Sequence, residues 1–140
     1  MISGPSLTPR TRTLLLAAFL LLTAVTRGPD LWRPVDGTVR DPWREPDVAS
    51  MARNFYREGM DILHPRIDWR GSGPGFVESE FPAFPWLVAV LYKAFGYHEE
   101  LARLLSFVIA LATAAVFFRL AELLLPLPGV VGALLLFALS

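Results

Sequence analysis

The sequence predicts an all-α protein that crosses a membrane. Hydrophobic residues make up 54% of the 140 residues, and only 19% are charged. Long apolar stretches lack the polar residues at period 3.6 or 2 that a soluble core requires. Between the first and second of these stretches lies a segment with all four Trp, all three Tyr and twelve of the thirteen acids. Because Trp and Tyr prefer membrane interfaces, this arrangement favours a membrane protein.

The composition also excludes several classes of function. Thirteen Lys and Arg residues balance thirteen Asp and Glu residues, so the formal net charge is zero. This balance argues against a strongly basic nucleic-acid-binding protein, and we expect no nucleic-acid partner. The chain has no cysteine. Disulfides, thiol catalysis and cysteine-based metal sites are therefore excluded.

The first apolar stretch, residues 13–26, is predicted to form transmembrane helix 1. Its 14 residues would extend about 21 Å as a helix, against about 30 Å of hydrocarbon. The stretch can span only if Arg12 and Arg27 extend towards the two interfaces. A cleaved signal peptide is the alternative, because Arg10 and Arg12 precede an apolar segment of suitable length.

The second apolar stretch, residues 101–122, is the strongest candidate for a transmembrane helix. Ser106, Ala110 and Ala114 recur at every fourth position, which places small side chains on one helix face for close packing. Residues 128–140 begin a third predicted transmembrane helix. We expect a polytopic helical membrane protein that is truncated after the start of this third transmembrane helix.

The Lys and Arg residues of short flanks predict the orientation. Residues 1–12 contain basic residues and no acid, so they are predicted to form a cytoplasmic N-terminus. Residues 123–127 follow Arg119 and are predicted to form a cytoplasmic turn. Residues 27–100 then form the first outer, periplasmic loop of a multi-pass protein in the inner or plasma membrane.

Two helices are predicted inside this outer loop. Residues 46–58 carry apolar side chains at helical spacing, with Pro46 near the start and Gly59 after the end. Residues 82–95 are too short to cross a bilayer, and their aromatic residues favour a position at the membrane interface. A buried helix of a soluble outer domain is the alternative for this segment.

Three acidic residues of the loop are candidates for chemistry. Asp47 lies in the first turn of a predicted helix, where an ionised carboxylate is favoured, although many such residues only cap the helix. Glu78 and Glu80 would point the same way in an extended segment, where they could bind a divalent cation or share acid–base work. A solvated loop edge is the alternative for these two.

Four further residues have side chains that can bind a phosphate or a metal ion. Arg103 lies at the beginning of the second transmembrane helix, where it either anchors the helix end or binds a lipid phosphate. Asp61, His64 and Asp68 lie within one loop and could together form a metal site. Two acids and one His scattered across a proline-containing loop are a weak signal for such a site, and we interpret them as structural.

Several motifs together resemble the first outer loop of GT-C glycosyltransferases, in particular the protein O-mannosyltransferase and aminoarabinose (lipid A) transferase superfamily. They are REPDVASMARNFY at 44–56, GMDILHPRIDWRG at 59–71, EFPAFPWLVA at 80–89, YKAFG at 92–96 and RLLS at 103–106. Their order and spacing carry the resemblance, which covers nearly all of the chain after residue 27.

The resemblance implies a glycosyltransferase that moves a sugar from a polyprenyl-phosphate carrier to a protein or glycolipid acceptor outside the cytoplasm, with inversion. It implies Asp47 as the catalytic carboxylate, although Val48 replaces the usual second acid. It further implies Arg103 and Glu78 near the carrier phosphate and Glu80 as a candidate metal ligand. The cofactor is unknown, with a divalent metal ion as the candidate. Membrane lipid is the remaining implied partner.

Other classes of protein remain open from the sequence. One is a small non-catalytic membrane protein that binds a lipid carrier or acts as an assembly subunit. Another is a secreted interaction domain behind a cleaved signal peptide, anchored from residue 104 onwards. As a fragment of a GT-C transferase, the chain by itself is expected to be inactive.

Overall fold

The structure, a computed structural model, describes residues 8–32, 44–78 and 80–139. Within these ranges the protein is all-helical and has no β-strand, apart from one isolated antiparallel bridge between Arg66 and Phe76. The all-α prediction is therefore confirmed for this part of the chain. Most of the predicted N-terminus 1–12, part of the predicted outer loop and the last residue of the segment 128–140 lie outside the described residues.

Five α-helices are present in the described part of the chain. They are α1 (Pro9–Arg27), α2 (Arg44–Glu58), α3 (Ala83–Phe95), α4 (Glu100–Leu124) and α5 (Leu127–Leu139). A 3₁₀ helix, Gly28–Trp32, follows α1. The chain divides into two compact units. The first contains α1, α5 and α4 from Ser106 onwards, and the second contains α2, α3 and the beginning of α4.

Helix α1 begins four residues before the apolar stretch from which it was predicted. Thr8 is the N-cap, and its Oγ1 atom accepts a hydrogen bond from the backbone N–H of Thr11 at 3.3 Å. Pro9 occupies the first helical position, where its missing N–H has no cost. The cap therefore adds one polar turn containing Arg10 and Arg12, which lengthens the helix to 19 residues.

The core of the first unit is formed by α1, α4 and α5. Phe19 of α1 lies edge-on to Phe137 of α5, with 5.7 Å between ring centroids, and Phe137 also stacks on Phe117 of α4 at 4.9 Å. Among the three small residues predicted to form a packing face on α4, Ala114 is fully buried, Ala110 is half-buried and Ser106 is exposed. The remaining buried residues of this core are Phe118, Ala121, Val130, Leu134 and Ala138.

An ion pair joins the beginning of α1 to the end of α4. The Nε and Nη2 atoms of Arg12 donate to the same carboxylate oxygen of Glu122 at 2.8 and 2.7 Å. The Nη1 atom of Arg119 lies 3.7 Å from that oxygen. The Glu122 side chain is only 10% exposed, so its charge is compensated by Arg12 where the two helices meet.

Two helical segments are long and apolar enough to cross a membrane, residues 9–32 and residues 100–124. Most of their leucine, valine and isoleucine side chains are exposed, as contact with lipid would require. Helix α5 has 13 residues and is shorter than a typical span. Signal sequences and buried core helices share the same length and composition, so the number of crossings and the orientation stay predictions.

The second unit is built on the contact between α2 and α3. Ala52 of α2 packs against Val88 and Tyr92 of α3, and all three side chains are almost fully buried. The Tyr92 ring contacts the rings of Tyr56 and Tyr97, with centroid distances of 5.9 and 4.8 Å. The periodicity that predicted α2 therefore describes the face by which this helix packs on α3.

Both helices of this unit end at glycines with positive φ. Gly59 follows α2 with φ of 142°, and Gly96 follows α3 with φ of 90°. The Gly96 N–H donates to the carbonyl of Tyr92 at 2.9 Å and thereby closes the last turn of α3. These two stops agree with the sequence, since glycine adopts such conformations at little cost.

Candidate functional site

Asp47 lies in the first turn of α2, as predicted, and it is exposed. Its backbone carbonyl accepts a hydrogen bond from the hydroxyl of Ser50 at 2.8 Å. The early N–H groups of a helix attract negative charge, and the Asp47 carboxylate belongs to the turn that contains them. A proton-accepting role and a purely structural role at the helix end both fit this placement.

Glu80 is brought to the same end of α2 by an ion pair. Its Oε2 atom lies 2.7 Å from the Nη2 atom of Arg44, which belongs to the turn that contains Asp47. Residues three apart on a helix lie on one face, so Arg44 and Asp47 are neighbours there. We call Arg44, Asp47 and Glu80 the carboxylate edge. All three residues are exposed.

The carboxylate edge does not offer the ligand set of a resident metal ion. In the described part of the chain, no three His, Cys, Asp or Glu residues are grouped as metal ligands would be. Glu80 instead binds the cationic side chain of Arg44. Glu78 is exposed two residues earlier, and Ser79 between these two acids lies outside the described residues. The donors present therefore do not fit the divalent cation that the resemblance implies.

Arg103 lies in the first turns of α4 and is half-buried. Leu101, Ala102 and Leu105 of the same turns pack towards the contact between α2 and α3. At 100° per residue, Arg103 falls on nearly the opposite side of the helix from Leu101 and Leu105. The structure therefore directs Arg103 away from the packed face.

A second polar cluster lies where α2 ends and the following loop returns to it. Glu58 accepts hydrogen bonds from Nη1 of Arg66 at 2.9 Å and from Nη1 of Arg70 at 3.0 Å. Asp68 binds Arg53 and also accepts from Nδ2 of Asn54 at 3.1 Å. Three charged residues of the loop, Arg66, Asp68 and Arg70, thus bind side chains of α2.

Asp61 and His64 form a hydrogen-bonded pair in the same loop. The Oδ2 atom of Asp61 lies 2.7 Å from Nδ1 of His64, and its Oδ1 atom accepts from the backbone N–H of Leu63 at 3.1 Å. A carboxylate only accepts hydrogen bonds, so Nδ1 carries the proton in this pair. Among the described residues, Nε2 of His64 has no hydrogen-bond partner.

Two carboxyl groups of this cluster, those of Glu58 and Asp61, have pKa values below their usual ones. Hydrogen bonds from Arg70 and then Arg66 lower the pKa of Glu58 below its usual value. The hydrogen bond to His64, followed by that from the Leu63 N–H, lowers the pKa of Asp61. Glu58 in turn raises the pKa of Arg70. All of these shifts favour the charged forms, which preserves the ion pairs near neutral pH.

This cluster surrounds a small pocket of about 190 Å³. We call it the loop pocket. It is lined by Asn54, Glu58, Gly59, Asp61, His64, Arg66 and Phe76. The Arg66 guanidinium lies over the Phe76 ring, 4.8 Å from its centroid, and the His64 ring lies 5.4 Å from that ring on centroids. The wall therefore combines carboxylates, N–H donors and one aromatic surface.

The three loop residues that the sequence indicated to be structural, Asp61, His64 and Asp68, have different surroundings in the structure. Asp68 makes structural contacts to Arg53 and Asn54, whereas Asp61 and His64 face the loop pocket. The spacing Asp-x-x-His was the available signal, because residues three apart in a tight turn can contact each other. Glu58 was missed as a pocket residue, since its Arg partners follow only after the chain has turned.

The chain was also compared with known proteins. No protein-family model matches it, and neither a curated protein sequence nor a solved structure shows significant similarity. The resemblance to GT-C glycosyltransferases therefore stays a prediction. The features of this chain that bear on function are the carboxylate edge, the loop pocket and the apolar helices.

Proposed function

We propose that this chain belongs to a GT-C type glycosyltransferase, with Asp47 as its general base. The enzyme would be a multi-pass protein of the inner or plasma membrane that displays residues 27–100 outside the cytoplasm. The observation that carries the proposal is the ion pair between Arg44 and Glu80. It holds Glu80 at the exposed end of α2 that carries Asp47, the acid that the resemblance implies as the catalytic carboxylate.

The membrane supplies the reason for a site at this place. A polyprenyl tail stays in the lipid, so its phosphate and the attached sugar lie at the interface. Helix α3 exposes Leu87, Val90 and Phe95 while its other face packs on α2. An exposed apolar face of this kind suits the boundary between headgroups and acyl chains. The acids of the carboxylate edge would then meet the carrier at headgroup depth.

The chemical step is one displacement at the anomeric carbon of the sugar. Asp47 accepts the proton of the acceptor's nucleophilic group as that group forms its bond to the anomeric carbon. The bond from the anomeric carbon to the phosphate oxygen breaks, and the polyprenyl phosphate leaves with the electron pair. The configuration is inverted because one displacement occurs. The Arg103 guanidinium is proposed to stabilise the charge on the departing phosphate, and no step requires a metal ion.

The decisive assay measures sugar transfer from a radiolabelled polyprenyl-phosphate sugar in membranes of cells that express the protein from its own gene. Replacing Asp47 by Asn should lower transfer by roughly 10²–10⁴-fold, the usual contribution of a general base. Glu45→Gln is the matched control, since Glu45 is an acid of the same helical turn and is expected to be dispensable. Wild-type transfer by Asp47→Asn would remove Asp47 from the proposed role.

A labelling experiment tests the carrier and the topology separately. If a photoreactive polyprenyl phosphate labels the wild-type protein but no transfer is found, the protein is a carrier-binding component and the transferase proposal fails. The chain has no cysteine, so Trp69→Cys introduces one unique thiol at a side chain that is 84% exposed. A membrane-impermeant maleimide should react with this thiol in intact cells. Reaction only after lysis would refute the proposed orientation.

A further inference from the structure

The loop pocket has features of a binding site that the proposed transfer at the carboxylate edge does not use. Its volume of about 190 Å³ corresponds to about six water molecules at roughly 30 Å³ each. A space of this size accepts a single six-membered ring with its substituents. It is too small for a nucleotide or for a typical drug-sized ligand, whose pockets begin near 300 Å³.

The charges around the loop pocket balance each other. Among the lining residues, Glu58 and Asp61 are negative and Arg66 is positive. Arg70 does not line the pocket, but its guanidinium group binds Glu58, as that of Arg66 does. An anion would meet the two carboxylates, and a cation would meet the guanidinium group of Arg66. A ligand without net charge avoids both costs of burying an uncompensated charge.

The hydrogen-bonding groups of the wall suit hydroxyl groups. A carboxylate offers about four lone-pair positions, so Asp61 keeps acceptor capacity beyond its bonds to His64 and to the Leu63 N–H. Arginine N–H groups donate, and Nε2 of His64 accepts a hydrogen bond when the ring is neutral and donates one when the ring is protonated. A hydroxyl group both donates and accepts, and can therefore pair with each of these partners.

The wall is also held in place before any ligand enters. The loop is closed by backbone hydrogen bonds from Ile67 to Gly75 and from Val77 to Pro65, each of 3.0 Å. The Asn54 side chain is 5% exposed and donates to the Arg66 carbonyl at 2.9 Å. Such preorganisation lowers the entropy cost of binding a small ligand.

We propose that the loop pocket binds one neutral, hydroxyl-bearing ring of the size of a monosaccharide, and that Nε2 of His64 forms a hydrogen bond with one of its hydroxyl groups. This proposal is independent of the transferase reaction and of Asp47. It assigns His64 and Asp61 to ligand binding, with Asp61 as a positioning residue that fixes the orientation and the tautomer of the His64 ring.

The test uses the full chain in detergent micelles and saturation-transfer NMR with methyl α-mannopyranoside and methyl β-glucopyranoside as neutral probes. Inorganic phosphate is the charged probe, followed by the width of its phosphorus signal. We expect saturable binding of at least one glycoside and none of phosphate. His64→Gln and Asp61→Asn should each weaken glycoside binding about five- to tenfold, the effect of losing one hydrogen bond.

Glu45→Gln is the matched control, because Glu45 does not line the loop pocket, and this variant should bind the glycosides as the wild type does. Circular dichroism of each variant verifies that its helices are retained. Binding of phosphate in place of glycosides, or the absence of saturable glycoside binding by the wild type, would overturn the proposal. Unchanged glycoside affinity in folded His64→Gln and Asp61→Asn variants would overturn it as well.

Discussion

The two glycines of the loop after α2 give a sharp test of its geometry. Gly71 and Gly75 both have positive φ, 54° and 76°. A Cβ atom at Gly71 would meet no atom within 4 Å, whereas one at Gly75 would lie 2.5 Å from Cγ of Arg70 and 2.8 Å from the carbonyl oxygen of Ile67. Alanine at either position suffers the same kind of backbone strain, but only at position 75 does it also collide with the loop.

The expected costs follow from these distances. The positive φ alone costs an alanine about 1–2 kcal/mol. At Gly75 the Ile67 carbonyl belongs to the backbone and cannot swing aside, so the local structure must shift at about 1–3 kcal/mol more, as in overpacked cores. Gly75→Ala should therefore destabilise the loop by about 2–5 kcal/mol, and Gly71→Ala by about 1–2 kcal/mol.

Amide hydrogen exchange at Ile67 and Val77 measures this difference where it arises, because both N–H groups close the loop. Each 1.4 kcal/mol corresponds to a tenfold faster exchange by local opening. We expect Gly75→Ala to accelerate these two amides about 10- to 100-fold more than Gly71→Ala does. Equal acceleration by the two variants would show that the contact with Ile67 does not constrain position 75, and the reasoning would be refuted.

Two further predictions concern the packed parts of the chain. Ala114→Leu should destabilise the first unit by about 1–3 kcal/mol, because Ala114 is fully buried. Ala112→Leu, on the exposed side of α4, should have little effect. Thermal unfolding in detergent compares the two variants, and equal losses of stability would contradict the packing of α4. Burial, with smaller contributions from Tyr97 and Glu99, raises the pKa of Tyr92 to about 12. Since an unfolded tyrosine loses its proton near pH 10, stability should fall as the pH rises from 10 to 12, and Tyr92→Phe should reduce this loss in unfolding experiments monitored across that range. The same loss in the Phe variant would show that Tyr92 is not the group responsible.

The positions of the helices could be predicted from the sequence because their signals are local. Apolar periodicity indicated α2, and the glycines at 59 and 96 marked the ends of α2 and α3. The beginning of α1 was placed too late, because the predicted span was taken from the apolar stretch alone. Thr8 and Pro9 begin the helix through a side-chain cap and a fixed φ angle, and neither of these effects depends on hydrophobicity.

The arrangement of the polar residues could be predicted only in part. The acidic character of the first turn of α2 is local, so Asp47 was found where it was expected. The pairing of Arg44 with Glu80 joins residues 36 positions apart and depends on how α3 packs on α2. Asp61 was grouped with Asp68 because both lie near His64 in sequence, but Asp68 turns back to α2 while Asp61 faces the loop pocket.

The contact of Arg12 with Glu122 has a consequence for how the protein is made. If both α1 and α4 cross a bilayer, this ion pair requires the beginning of α1 and the end of α4 to lie on the same side of the membrane. Removal of α1 by a protease after export would leave the largely buried carboxylate of Glu122 with the more distant guanidinium of Arg119, at 3.7 Å. The ion pair with Arg12 therefore forms only while α1 remains part of the chain.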